Sequence, residues 1–146
     1  MSEYVKILVV DDDERIRKTM QYILENEGYI VDLATTGHEA IEMTQKTAYN
    51  VAILDIRLPD MEGVELLKLM RNNVPKTRKI MVTGYPSMQN AISALNKKAD
   101  AYLVKPVSVE ILLNSVKEQL QLQKTEKIFC EQKVAEFIEK RAKAIT

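Results

Sequence analysis

Five short apolar runs, each ending near a polar or charged residue and most followed by a stretch of helical spacing, set the rhythm of this chain. Tyr4–Val10 is short, nearly continuous and rich in β-branched residues, the pattern of a strand buried on both faces. Directly after it, Ile16, Met20, Ile23 and Leu24 recur at helical intervals, with Asp13 placed to cap the first turn and Gly28 placed where a C-terminal cap falls. Tyr29–Ala34 alternates more, as an edge strand does, and Thr36-Gly-His-Glu39 carries the capping-box pattern ahead of Ala40, Ile41 and Met43. The rhythm then repeats as strand Asn50–Asp55, loop Ile56–Gly63 and helix Val64–Arg71, and again as strand Lys79–Thr83 and helix Ser87–Lys97. Strand Asp100–Val104, a turn at Lys105-Pro106 and a last helix from about Ser108 complete it.

Strands alternating with helices predict an α/β fold: a doubly wound, five-stranded parallel sheet covered on both faces. In such sheets ligands bind outside the carboxyl ends of the strands. The polar residues that close the apolar runs would meet there: Asp11 and Asp12 after the first strand, Asp55 at the end of the third, Thr83 at the end of the fourth and Lys105 after the fifth. Two unit charges about 4 Å apart interact by about 4 kcal/mol at an effective dielectric near 20, so three clustered carboxylates need cations. Lys105 supplies one charge, and a hard divalent ion such as Mg2+ suits an all-oxygen site. The chain has no histidine or cysteine cluster to favour zinc. A carboxylate so placed can also act as a nucleophile and form an aspartyl phosphate.

Composition narrows the field further. A chain of 146 residues with 46% hydrophobic content builds one ordinary core. Basic and acidic residues cancel at 21 each, so no global field favours nucleic acid or an anionic membrane. Cys130 stands alone and cannot pair internally, which fits a reducing compartment. No apolar run approaches the roughly 20 residues of a membrane helix, and no signal pattern opens the chain. The expected location is the cytoplasm, with no membrane partner.

Four motifs occur in order: Leu8-Val-Val-Asp-Asp12, Leu54-Asp-Ile-Arg-Leu-Pro-Asp-Met-Glu-Gly63, Met81-Val-Thr-Gly84 and Ala99-Asp-Ala-Tyr-Leu-Val-Lys-Pro106. With them the chain closely resembles the receiver domain of two-component response regulators, over about Val5 to Leu120. The resemblance implies the flavodoxin-like strand order 2-1-3-4-5 and a phosphorelay protein rather than an enzyme acting on external substrates. It implies that Asp55 accepts a phosphoryl group from a sensor histidine kinase or phosphotransfer protein. It also implies that Asp12, Asp55 and the backbone carbonyl of Arg57 bind Mg2+ with help from Asp11, and that Thr83 and Lys105 hold the phosphoryl oxygens. Thr83 and Tyr102 would form the switch that reports phosphorylation to the fourth helix, fifth strand and fifth helix, and the Lys105–Pro106 bond would be cis.

Other readings fare worse. Asp13 reads as a helix cap, and His38, with no ligand or triad partner near it in sequence, reads as surface. A haloacid-dehalogenase-type phosphatase would use Asp11 as nucleophile with Asp13 as second acid, but Arg15 stands where that class expects Thr or Val. A phosphate-independent receiver-shaped module would have lost one of Asp12, Asp55 or Lys105. A flavin carrier would need a Ser/Thr/Gly-rich phosphate loop.

The expected division is a receiver domain over 1–122 and a helical extension over 123–146. Val109, Leu112, Leu113, Val116 and Leu120 would cover the sheet, whereas Gln119-Leu-Gln-Leu-Gln123 alternates and weakens the helical pattern. Beyond it Cys130, Val134, Phe137, Ile138, Ala142 and Ile145 form a second apolar stripe with no sheet left to cover. Such a stripe calls for a partner, either a second copy, a kinase or an effector. The expectation is a homodimer through this helix or through the fourth helix, fifth strand and fifth helix, or a kinase or effector contact through the tail, the alternative being a tail that folds back or is disordered. The tail is too short for a standard DNA-binding domain, so direct contact with nucleic acid is not expected.

Overall fold

The computed structural model describes residues 4–70, 76–84, 87, 92–93 and 99–145. Strands β1 (Lys6–Val10), β2 (Ile30–Ala34), β3 (Val51–Asp55), β4 (Arg78–Thr83) and β5 (Ala101–Val104) form one sheet in the order β2-β1-β3-β4-β5. Every neighbouring pair is parallel, with Val10 beside Leu54, Asp55 beside Val82 and Thr83 beside Val104. The topology is the one expected. β1 begins two residues into its apolar run, past the exposed Tyr4, and each of the other four strands begins one residue from the expected start.

Alternation along the strands builds two cores. Leu8, Val10, Ala52, Leu54 and Met81 face α2 (Gly37–Lys46) and α3 (Gly63–Leu69), which contribute Ala40, Leu66 and Leu67. Ile7, Val9, Ile53, Ile80 and Val82 face the other way, onto Met20 and Leu24 of α1 (Glu14–Asn26) and Leu112 and Val116 of the C-terminal helix (Val109–Ile145). With both faces covered, β1, β3 and β4 carry almost no polar interior position, which is why they read as continuous apolar runs.

The helix ends follow their local chemistry. Asp13 caps α1 by accepting from Arg15 N and Ile16 N, and Gly28 takes the left-handed φ of 92° just past its end. Thr36 caps α2 by accepting from Glu39 N at 3.1 Å, but the reciprocal contact differs from the simple capping box. The Glu39 carboxylate accepts from the backbone and hydroxyl of Thr35, not from Thr36 N. Gly63, expected in the loop, is the first residue of α3, and that helix ends at Leu69. The helix expected over Ser87–Lys97 lies outside the described residues apart from Ser87, Ile92 and Ser93.

The alternating Gln119–Gln123 segment does not interrupt the C-terminal helix, which runs unbroken for 37 residues, about 55 Å. Its sheet-facing side includes Leu112, Val116, Gln119 and Gln123, and every described side chain from Lys127 to Ala142 is exposed. No helix among the described residues is long and apolar enough to cross a membrane.

Candidate functional site

The carboxyl edge of the sheet gathers the charged residues. Asp11 leaves β1 with its backbone N–H on Ala34 O at 3.2 Å and its Oδ1 accepting from Asp13 N at 2.9 Å. Asp55 ends β3, only 8% exposed, and its Oδ1 accepts from Arg57 N at 3.2 Å. Lys105 arrives from the end of β5, where its backbone N–H bonds Thr83 O at 2.7 Å and the Lys105–Pro106 peptide is cis. Its ammonium bridges Asp11 Oδ2 at 2.8 Å and Asp55 Oδ2 at 3.1 Å. Asp12 stands beside them, exposed to solvent, and carboxylate oxygens of Asp11, Asp12 and Asp55 lie within 4.8 Å of one another. Thr83, 1% exposed, closes β4 at the same edge.

The electrostatics follow from this crowding. Burial, and then the charge of Asp11, push the Asp55 carboxyl above its ordinary range, against the opposing pull of Lys105 and the Arg57 N–H. Burial alone would lower the Lys105 ammonium, but its hydrogen bond to Asp11 and the charges of both carboxylates outweigh that and raise it. Among these four groups, three carboxylates against one ammonium leave an excess of two negative charges. A hard divalent cation balances them, and all the donors are oxygens. The exposed Asp12 leaves one side of such an ion open to water. The residues present therefore fit Mg2+, and they do not fit a soft metal.

Tyr102, on β5 beside Met81, is half-buried, and its hydroxyl is buried without a hydrogen-bond partner among the described residues. Sequence reasoning missed three further residues at this edge. Arg17 Nη1 donates to the Asp11 carbonyl at 2.8 Å. Gly63 lies so close to β3 that an added Cβ would collide with the Asp55 carbonyl oxygen. His38, read as surface, is exposed but pairs through Nδ1 with Asp60 of the β3–α3 loop. Sequence distance hid the His38–Asp60 pair; the glycine that closes the second motif was the available signal for Gly63.

The receiver-domain family, described as "Response regulator receiver domain", matches residues 7–117. The chain belongs to this family. Receiver domains of response regulators accept a phosphoryl group on an aspartate in two-component signalling. The alginate biosynthesis transcriptional regulatory protein AlgB of Pseudomonas aeruginosa is 35% identical over 117 residues, which is 80% of this chain and 26% of that protein. The chain thus spans about a quarter of AlgB. Among solved structures, a CheY-like receiver domain protein from Methanospirillum hungatei is 44% identical with a TM-score of 0.81, covering 85% of this chain and 99% of that one. The beryllofluoride-activated NtrC4 receiver domain, solved as a dimer, is 36% identical with a TM-score of 0.76, covering 81% of this chain and 98% of the other. This receiver domain accordingly has the acidic pocket at which its family typically binds Mg2+.

Proposed function

We propose that Asp55 is the phosphoacceptor of this receiver domain and that the chain catalyses only its own phosphotransfer and dephosphorylation. The observation that carries the reading is the Lys105 ammonium bridging Asp11 and Asp55 at the carboxyl edge of the sheet. An Asp55 oxygen bonds to the phosphorus of a phosphohistidine on a sensor histidine kinase or phosphotransfer protein. As it does so, the phosphorus–nitrogen bond breaks, and its electron pair stays on the imidazole nitrogen, which takes up a proton. Asp11, Asp12, Asp55 and the Arg57 carbonyl would hold Mg2+, which when bound neutralises charge on the transferred group. Lys105 turns from the carboxylates to a phosphoryl oxygen, and the Thr83 hydroxyl donates to another.

Those two movements form the switch. Phosphorylation adds about two negative charges beside Lys105, and displacement of Thr83 opens space near β5. Tyr102, whose hydroxyl has a partner to gain, changes its position in response. Among the described residues, the surface that reports it is β5 with the start of the C-terminal helix; the expected fourth helix lies largely outside them.

Residues 123–146 form an extension of the receiver rather than an output domain, and the extension joins two copies of the chain. Leu112, Gln123 and Val134 lie at intervals of eleven residues, close to three full turns, so the exposed stripe continues the face that covers the sheet. Phe137 and Ile138 on it are 60% and 61% exposed. A second copy supplies the same stripe in return.

Incubation with acetyl phosphate and Mg2+ tests the acceptor. The wild-type chain gains one phosphoryl group by intact mass, and Asp55→Asn gains none. Labelling that persists in Asp55→Asn would overturn the assignment.

A further inference from the structure

The β3–α3 loop carries the Arg57 carbonyl, and its own turn is closed by Leu58 N on Met61 O at 3.1 Å and Gly63 N on Ile56 O at 2.6 Å. These bonds shape the loop but do not fix its outer side against the rest of the fold. Asp60 reaches across to α2, 22 and 23 residues away in sequence. Its Oδ1 accepts from Gly37 N at 2.8 Å, and its Oδ2 accepts from His38 N at 2.9 Å and contacts His38 Nδ1. The first two N–H groups of α2 have no intrahelical partner, and Thr36 already serves Glu39 N. Asp60 therefore completes the capping of α2 from a different segment, with charge-assisted bonds roughly twice as strong as neutral ones. Met61 packs on the same spot, where any side chain at position 37 would collide with its thioether.

We propose that Asp60 is a positioning residue for metal binding: by clamping the β3–α3 loop to the first turn of α2, it holds the Arg57 carbonyl where Mg2+ requires it. The inference rests on the reading of Asp55 and Arg57 as Mg2+ ligands. Its physical basis is the intolerance of the ion. Mg2+ demands near-ideal octahedral geometry with ligands at about 2.0–2.1 Å, so a ligand held loosely binds it less well. Arg57 N is held on Asp55 Oδ1 at 3.2 Å, and Asp60, three residues further on in a loop of seven, anchors the outer half of the same loop, so its release loosens the segment that carries the carbonyl. The carboxylate touches neither the ion nor the phosphoryl group, and its effect passes through the loop backbone.

Isothermal titration of the full chain with Mg2+, paired with urea unfolding of the metal-free protein, separates positioning from simple capping. Asp60→Ala weakens Mg2+ binding about three- to tenfold, below the roughly 10- to 100-fold typical of residues that directly support a ligand. Asp60→Asn keeps one acceptor oxygen and shows a smaller loss, so a folded variant is available if the alanine protein is unstable. His38→Ala, which leaves both backbone bonds in place, stays within about twofold of wild type. Lower stability with unchanged Mg2+ affinity in both Asp60 variants would reduce Asp60 to a helix cap and overturn the inference alone. Mg2+ binding that survives Asp55→Asn unchanged would overturn the metal reading and this inference with it.

Discussion

Gly63→Ala is the sharpest single test of how tightly the phosphoacceptor loop is built. The added methyl collides with the Asp55 carbonyl oxygen and stands 2.9 Å from Met81 Cε. The methionine can swing away, but the carbonyl cannot. Asp55 lies between β1 and β4 in the centre of the sheet, and the next residue is tied to it by Ile56 N on Val82 O at 3.2 Å. The start of α3 must retreat instead, by roughly an ångström, stretching the 2.6 Å bond from Gly63 N to Ile56 O. Overpacking of this kind costs about 1–3 kcal/mol, and a weakened backbone bond adds about 1 kcal/mol. The sum, about 2–4 kcal/mol, lowers the melting temperature by about 4–16 °C for a chain of this size. Calorimetry reads that loss, and acetyl phosphate labelling reads the accompanying slower phosphorylation as the loop moves away from Asp55. Gly28→Ala is the control. Its φ of 92° makes an alanine cost about 1–2 kcal/mol with open space around it, far from the site. A Gly63→Ala protein that melts within about 1 °C of wild type and labels at the wild-type rate would refute the account of a close-packed loop.

Two further outcomes follow from the same structure. In metal-free protein, Asp55→Asn is more stable than wild type at neutral pH. The folded-state carboxyl is held above its ordinary value of 3.8, so ionised Asp55 opposes folding once the pH rises through its raised value, and the advantage of asparagine vanishes below about pH 3.8. Urea titrations across that range check the sign, and an Asn variant less stable at pH 7 contradicts it. The full chain sediments as a dimer and the chain ending at Lys124 as a monomer. Identical sedimentation of the two removes the proposed role of the extension.

The fold was legible because the central strands are covered on both faces. Ile7–Val10 and Val51–Leu54 are buried without exception, so the sequence shows runs that admit one interpretation. The site was legible for a related reason: a parallel sheet with short strands leaves the residue after each run at one edge, and four such residues were charged or hydroxylated. The residues that escaped notice are held by contacts between distant segments. Arg17 looks like any polar helix residue until its guanidinium is seen on the Asp11 carbonyl. His38 lacked a partner in its own neighbourhood, and Asp60 lies on another loop. Gln119 and Gln123 broke the apolar pattern because their burial depends on partners that periodicity does not count.

Those two glutamines explain why one helix face changes its task halfway along. Each is about 95% buried, where an unpartnered amide is costly. Gln119 Oε1 accepts from Arg78 Nε at 2.9 Å, while Gln123 Nε2 donates to Asn50 O at 3.0 Å and to Lys76 O at 2.9 Å, and its Oε1 accepts from Asn50 Nδ2 at 3.0 Å. Arg78 reaches on to Asp100 and Glu126 at 3.4 and 3.5 Å. An apolar seal at this point would tolerate sliding, because burial of apolar surface is non-directional. Hydrogen bonds to specific carbonyls are directional, so a one-residue slip of the helix would strand several of them. The C-terminal helix therefore leaves the sheet at a fixed register, at the edge opposite Asp55. Its first turns lie beside Lys105 and Pro106, and its last turns carry the exposed stripe. The extension is thus the continuation of a single helix whose position is fixed by the two glutamines rather than by the apolar face alone.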